Sequence, residues 1–161
     1  MRYGLISTAN LDELLGRCLN RFMSEENKCY AYFTVVGSFD PESITNRVGV
    51  NPTDSWRVGD LNPRNSLERK FSRWSLRSRL ATSESLEAHI ADVLNQLDAN
   101  TTSFKEISIT ESGGMQLVGY FHSLYPGLHF EREMIQRLGE YGLSVDCDFY
   151  YLYSDGREDT E

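Results

Sequence analysis

The sequence predicts an α+β fold in which a single sheet carries its helices on one face. Three observations lead there. Segments with strand-like patterning alternate with segments of 3.6-residue apolar periodicity. No internal repeat and no Pro-, Gly- or Ser-rich linker divides the chain. Its 161 residues, 40% apolar and 25% charged, are enough for one core without disulfides or a structural metal. The expected order is a helix followed by three β-α-β units. The middle six elements take the ferredoxin-like β-α-β-β-α-β order, extended by an extra β-α-β unit. The whole of 1–161 reads as a single domain: an N-terminal helical extension (1–27), a core (28–153) and an acidic tail (154–161).

The elements follow in order. Leu11, Leu14, Leu15, Cys18, Leu19, Phe22 and Met23 trace one helical face, and Asn10 with Glu13 makes a capping box, so a helix is expected over 10–23. Cys29 to Gly37 (CYAYFTVVG) is β-branched and aromatic on both faces and reads as a central strand. Asp40 can cap and Pro41 can open a short helix with Ile44 and Val48 buried, ended by Gly49. Ser55–Val58 and Ser72–Arg77 are short strands joined by a long loop, which is marked as a binding or variable element. Ser83 or Ser85 caps a helix whose face is Leu86, Ile90, Val93, Leu94 and Leu97. Phe104–Thr110 and Met115–His122 flank Ser112-Gly113-Gly114 and read as a hairpin. Phe130, Met134, Ile135, Leu138 and Tyr141 mark a last helix stopped at Gly142. Leu143–Tyr153 alternates as a last strand with one buried face.

Charge is segregated. The chain carries −8 overall, yet Arg57 to Arg79 holds seven basic and two acidic residues, while everything after Arg79 holds four basic and fifteen acidic ones. The acidic balance argues against a nucleic-acid backbone binder. No apolar run is long enough for a membrane span and no signal-peptide pattern opens the chain. Cys18, Cys29 and Cys147 form neither a disulfide framework nor a zinc motif, so reduced thiols and a cytoplasmic location are expected.

Two constellations stand out. Trp56, Arg57 and Asp60, with Arg73, Trp74 and Arg77, could form a polar-aromatic pocket, Arg forking onto a carboxylate or phosphate beside a flat indole wall. The competing account makes Trp56 and Trp74 cross-strand core partners. Asp146, Asp148 and Tyr150 share one face of the last strand, either as its solvent side or as a docking surface for a basic partner. His89 lies inside an apolar helical stripe and reads as a packed histidine before a catalytic one. His122 and His129 lack a third ligand, so no metal is expected. No triad, P-loop or dinucleotide fingerprint occurs, and no cofactor is implied.

The stretches YAYFTVVGSFDPESITNRVGVNPTDSWRVGD, RWSL, SLEAHIADVLNQL and YPGLHFEREMIQRLGEYGLSVDCDFYYL, in that order, resemble a family of bacterial proteins, the domain of unknown function four-two-seven-nine. The resemblance covers roughly residues 28 to 152 and brings no established activity and no catalytic residues with it. It implies a small stand-alone protein of the kind that accompanies toxin, immunity or other accessory systems.

The expected function is a non-enzymatic protein-interaction module, immunity- or antitoxin-like, whose acidic half meets a basic protein. The alternative is a binding domain for a small anionic ligand in the Trp/Arg pocket. An enzyme built on His89 and a carboxylate is a third class, and edge pairing leaves room for a homodimer.

Overall fold

A computed structural model of the chain describes residues 26–122 and 127–152. The expected helix over 10–23 and the acidic tail lie outside the described residues. Among the described residues five strands and four α-helices follow in the order β1 (Lys28–Gly37), α1 (Pro41–Val48), β2 (Asp54–Trp56), β3 (Ser72–Arg77), α2 (Leu86–Leu97), α3 (Thr101–Thr110), β4 (Gly114–Phe121), α4 (Arg132–Glu140) and β5 (Ser144–Tyr151). They build one mixed α+β sheet in the order β2-β3-β1-β4-β5. All neighbours are antiparallel except β4 and β5, which run parallel across the α4 crossover.

Local chemistry explains the short helices. The Asp40 carboxylate accepts the Glu42 N–H at 3.1 Å, Pro41 occupies the first turn, and Gly49 closes α1 with φ 71° in the left-handed region. The Ser85 hydroxyl accepts from Ala88 N and caps α2. Ala31, Phe33 and Val35 of β1, Trp74 and Leu76 of β3, and Met115 and Leu117 of β4 point to the helical side. There they meet Ile44, Ile90, Val93, Leu94, Leu97, Phe104 and Ile107. Phe33, Trp74 and Phe104 form an aromatic triad with ring centroids 5.6 to 6.0 Å apart.

Two elements differ from the sequence expectation. Phe104–Thr110 is not a strand but most of α3, so the sheet has five strands, and the six elements expected to give the β-α-β-β-α-β order are not the ones that form. Asn100 caps this helix through Ser103 N. Phe104, Ile107 and Ser108 fall three and four residues apart, which places all three on one helical face, whereas a strand would split Phe104 from Ile107. The β-branched content of TTSFKEISIT suggests a strand, but packing of that face against Trp74 and Phe33 prevails over propensity. The Ser112-Gly113-Gly114 turn accordingly ends a helix and joins no hairpin. The second correction concerns β5. It buries neither face, every residue except the half-buried Phe149 being exposed, because it is the sheet edge and α4 covers it thinly, with Leu138 and the following Tyr141 in the core and Met134 half-buried against it. Ile135, expected in that core face, is 57% exposed.

Candidate functional site

The helices leave the opposite face of the sheet uncovered among the described residues. Registers fix what it displays. Tyr32 lies opposite Arg77, Thr34 opposite Ser75, and Trp56 opposite Arg73, so period two places Tyr30, Tyr32, Arg73, Ser75, Arg77, Asp54 and Trp56 on this one face. Gln116 and Tyr120 continue it across β4, and Asp146, Asp148 and Tyr150 across β5.

On the β2-β3-β1 side, arginines and rings alternate. The Arg69 guanidinium lies 3.9 Å over the Trp56 ring, whose other approach is Arg73 at 5.1 Å; Arg73 in turn lies 4.9 Å from the Tyr32 ring. Tyr32 stacks on Tyr30 at 6.2 Å, and Arg77 covers Tyr30 at 3.6 Å. Each contact contributes about 0.5–1 kcal/mol at a partly exposed site. Arg73 is the most constrained. Its Nε donates to Ser75 Oγ at 2.8 Å and to Thr34 Oγ1 at 3.2 Å, so its two Nη groups form the free fork.

A groove of about 470 Å³ runs over these residues, lined by Tyr30, Tyr32, Asp54, Arg64, Arg73 and Arg77. It continues past Arg64 and Arg73 to Trp56 and Arg69 in adjoining depressions of about 400 and 450 Å³. The loop between β2 and β3, marked from sequence as a binding element, builds the far wall. Backbone bonds between Gly59 and Arg69, Asp60 and Arg69, and Asn62 and Leu67 zip it into an ordered hairpin that carries Arg64 and Arg69.

Ion pairing separates these arginines from Arg57 and Arg79 of the same basic window. Arg57 is held by Asp40 at 2.8 Å and Glu42 at 3.3 Å, and Arg79 by Asp92 at 3.0 Å. The Arg57 guanidinium beside Asp40, with the Glu42 N–H, keeps that carboxyl below its ordinary range. Arg64, Arg69, Arg73 and Arg77 have no carboxylate within ion-pair distance among the described residues.

The six residues expected to form one pocket therefore divide. Trp56, Arg73 and Arg77 share the groove. Asp60 reaches only its far depression, with its carboxylate engaged by Arg57 N at 2.7 Å. Arg57 turns away to Asp40. Trp74 stands on the other face, fully buried, because Ser55 and not Trp56 lies opposite it. Neither the pocket with both indoles nor the cross-strand Trp pair exists. Sequence reasoning missed Tyr30, Tyr32, Asp54, Arg64 and Arg69. The alternation of Tyr30/Tyr32 and of Arg73/Arg77 was the available signal, but only the antiparallel register shows that the two alternations coincide.

At the other end of the face, Asp146, Asp148 and Tyr150 are exposed as expected. Gln116 Nε2 donates to Asp148 at 3.0 Å, and Tyr150 stacks on Tyr120 at 5.0 Å. Cys147, on the other side of β5, has its thiol pKa pushed up by burial and by Asp146 and Asp148.

With this geometry in place, residues 27–152 match the family described as Domain of unknown function (DUF4279). The chain belongs to that family. No curated protein and no solved structure matches it. Within the DUF4279 domain no group of three His, Cys, Asp or Glu side chains is placed to hold a metal among the described residues, and no helix there is long and apolar enough to cross a membrane.

His89 of the DUF4279 domain is fully buried and shares a hydrogen bond with Ser78. Burial, and then Arg77, push its pKa below the ordinary 6.5. The unfolded chain therefore takes up a proton near pH 6.5 that the folded chain resists. This contribution to stability is complete above about pH 6.5 and is lost as pH falls from there through the lowered folded value, at up to about 1.4 kcal/mol per pH unit. Denaturant midpoints of wild type should drop between about pH 7 and 5, and those of His89→Gln should drop less. Parallel profiles would refute the assignment.

Proposed function

We propose that this protein is a recognition module whose open sheet face binds an anionic group, a carboxylate or phosphate, in the arginine-ring groove. The observation that carries the reading is that three arginines in an acidic chain, Arg69, Arg73 and Arg77, have no ionic partner among the described residues, yet are held against aromatic rings, with Arg73 pinned by two hydroxyls. Preorganised forks lose little entropy on pairing, and water-facing arginines that serve only solubility need no such support. The hydroxyls nearest the fork, Ser75 and Thr34, are occupied in holding it, which favours binding over chemistry.

Trp56 supplies the test, because it lies in the groove wall while the only other indole, Trp74, is sealed in the core. Titrating inorganic pyrophosphate should change Trp56 fluorescence saturably, with an affinity that weakens as salt rises. Arg73→Ala should weaken binding at least about tenfold, since a hydrogen bond to a charged group is worth about 1.5–3 kcal/mol. A flat titration, or equal affinity in the variant, would refute the reading.

A second reading places a basic protein on Asp146, Asp148 and Tyr150. It is favoured by β5 being an edge strand exposed on both faces. On the fold, the alternating directions of β2, β3, β1 and β4 favour a ferredoxin-like account of those four strands with β5 as an addition. The free thiols of Cys29 and Cys147 favour a reducing, cytoplasmic setting.

A further inference from the structure

We infer that the occupant of the groove is an acidic peptide segment of a protein partner, laid extended across the face from Arg77 to Arg69; this rests on the anion-binding reading above. The shape of the site argues first. Small-molecule pockets enclose most of their ligand in apolar walls. Here three depressions join end to end, with Asp54 common to all three, Arg64 and Arg73 shared by two of them and Trp56 and Arg69 by another pair. The result is a track with cations along its length instead of one deep cavity.

Spacing argues second. Successive guanidiniums are parted by one ring, Trp56, or by the Tyr32-Tyr30 stack. In an extended peptide, side chains on one side recur about every 7 Å, close to the step from Arg69 to Arg73 across Trp56, and two such repeats match the longer step from Arg73 to Arg77 along β3. Carboxylates on one side of such a peptide would meet the edges of Arg69, Arg73 and Arg77, with one position between Arg73 and Arg77 lying over the tyrosine stack.

The state of the rings argues third, and against a single-stranded nucleic acid. Sequence-tolerant strand binding uses bare aromatic faces on which bases stack. In this groove Tyr30, Tyr32 and Trp56 already carry guanidiniums, so what remains on offer is N–H edges and not ring faces. The same sheet face also bears Asp54, Asp146 and Asp148, which repel a phosphate on every residue more than carboxylates on alternate ones. An acidic peptide meets both conditions.

The experiment measures fluorescence anisotropy with a labelled peptide of alternating Glu and Ser, beside an alternating Lys and Ser peptide, a labelled oligothymidylate and unlabelled pyrophosphate as competitor. The Glu peptide should bind, be displaced by pyrophosphate, and weaken about tenfold in each of Arg69→Ala and Arg77→Ala, the two ends of the track, with circular dichroism unchanged. Arg73→Lys, which keeps the charge and loses the fork, should also weaken it. Asp146→Asn should leave it unchanged or tighter. If pyrophosphate binds and the Glu peptide does not, or if the end variants bind it like wild type, the site takes a compact anion and the peptide inference is overturned while the anion reading stands. Tighter binding of oligothymidylate, or equal binding of the Lys peptide, overturns it too. If neither pyrophosphate nor the Glu peptide binds, both readings fall.

Discussion

Trp74→Ala should cost about 3–5 kcal/mol, the largest loss expected from any single truncation in this chain. Trp74 has no exposed surface, sits 6.0 Å from both Phe33 and Phe104, and donates from Nε1 to Thr45 Oγ1 at 3.0 Å. It joins β3 to β1, α1 and α3. Truncation removes the indole's transfer free energy, opens a cavity between two rings that cannot collapse without moving a helix, and deletes the hydrogen bond to the Thr45 hydroxyl, which keeps its own donation to Pro41 O. For a domain whose whole stability is about 5–15 kcal/mol, the expected fall in melting temperature is roughly 10 °C or more. Trp74→Phe keeps most of the packing and should cost about 1–3 kcal/mol. Trp56→Ala, by contrast, should change stability by about 1 kcal/mol or less while abolishing the fluorescence response to pyrophosphate. Chemical denaturation of the three variants separates the two indoles: if Trp56→Ala proved the more destabilising, the division between core and groove would be wrong.

Gly113→Ala should cost about 2 kcal/mol for a different reason. An added Cβ would stand 2.8 Å from Ser108 Cα and 2.9 Å from its Cβ and Oγ. Gly113 N donates to Ser108 O at 2.7 Å, closing the end of α3 after Ser112 at φ 52°, and Gly113 O accepts from Ser144 N at the start of β5. The clash is with helix backbone, so relief requires moving α3 against the core. Two neighbouring glycines calibrate it. Gly114→Ala meets the Ser144 hydroxyl at 3.0 Å and the Ser144 carbonyl at an ordinary 3.9 Å, and should cost well under about 1 kcal/mol. Gly139→Ala, on the open side of α4 with nothing within 4 Å, should stabilise by about 0.5–1 kcal/mol. Urea midpoints in the order Gly139→Ala above wild type above Gly114→Ala above Gly113→Ala are expected. Gly113→Ala at the wild-type midpoint would show that this turn is free to relax.

Local signals were legible wherever one residue type has one job. Asp40, Pro41 and Gly49 bound α1 because a cap, a missing donor and a left-handed residue act within a single turn. The face of α2 and the packed state of His89 follow from periodicity along one helix. The central place of β1 follows from its apolar, β-branched run, although its second face is an open surface of tyrosines and not a second core.

What the sequence by itself determined is therefore the mixed α+β class, most of the elements, and a basic window set in an acidic chain. Only the tertiary structure decided that Thr101–Thr110 is helical, since its propensity and its packing point in opposite directions and burial of Phe104 and Ile107 is the larger energy. Only the tertiary structure decided what the two tryptophans and the arginines do. Trp56 and Trp74 lie on neighbouring strands, and a register between them shifted by one residue would put both on the same face. The antiparallel pairing of β1, β3 and β2 sends Trp74 into the core and gathers Trp56, Arg73, Arg77, Tyr30 and Tyr32 on the open side. A face is a property of paired strands, and no single stretch of sequence contains it.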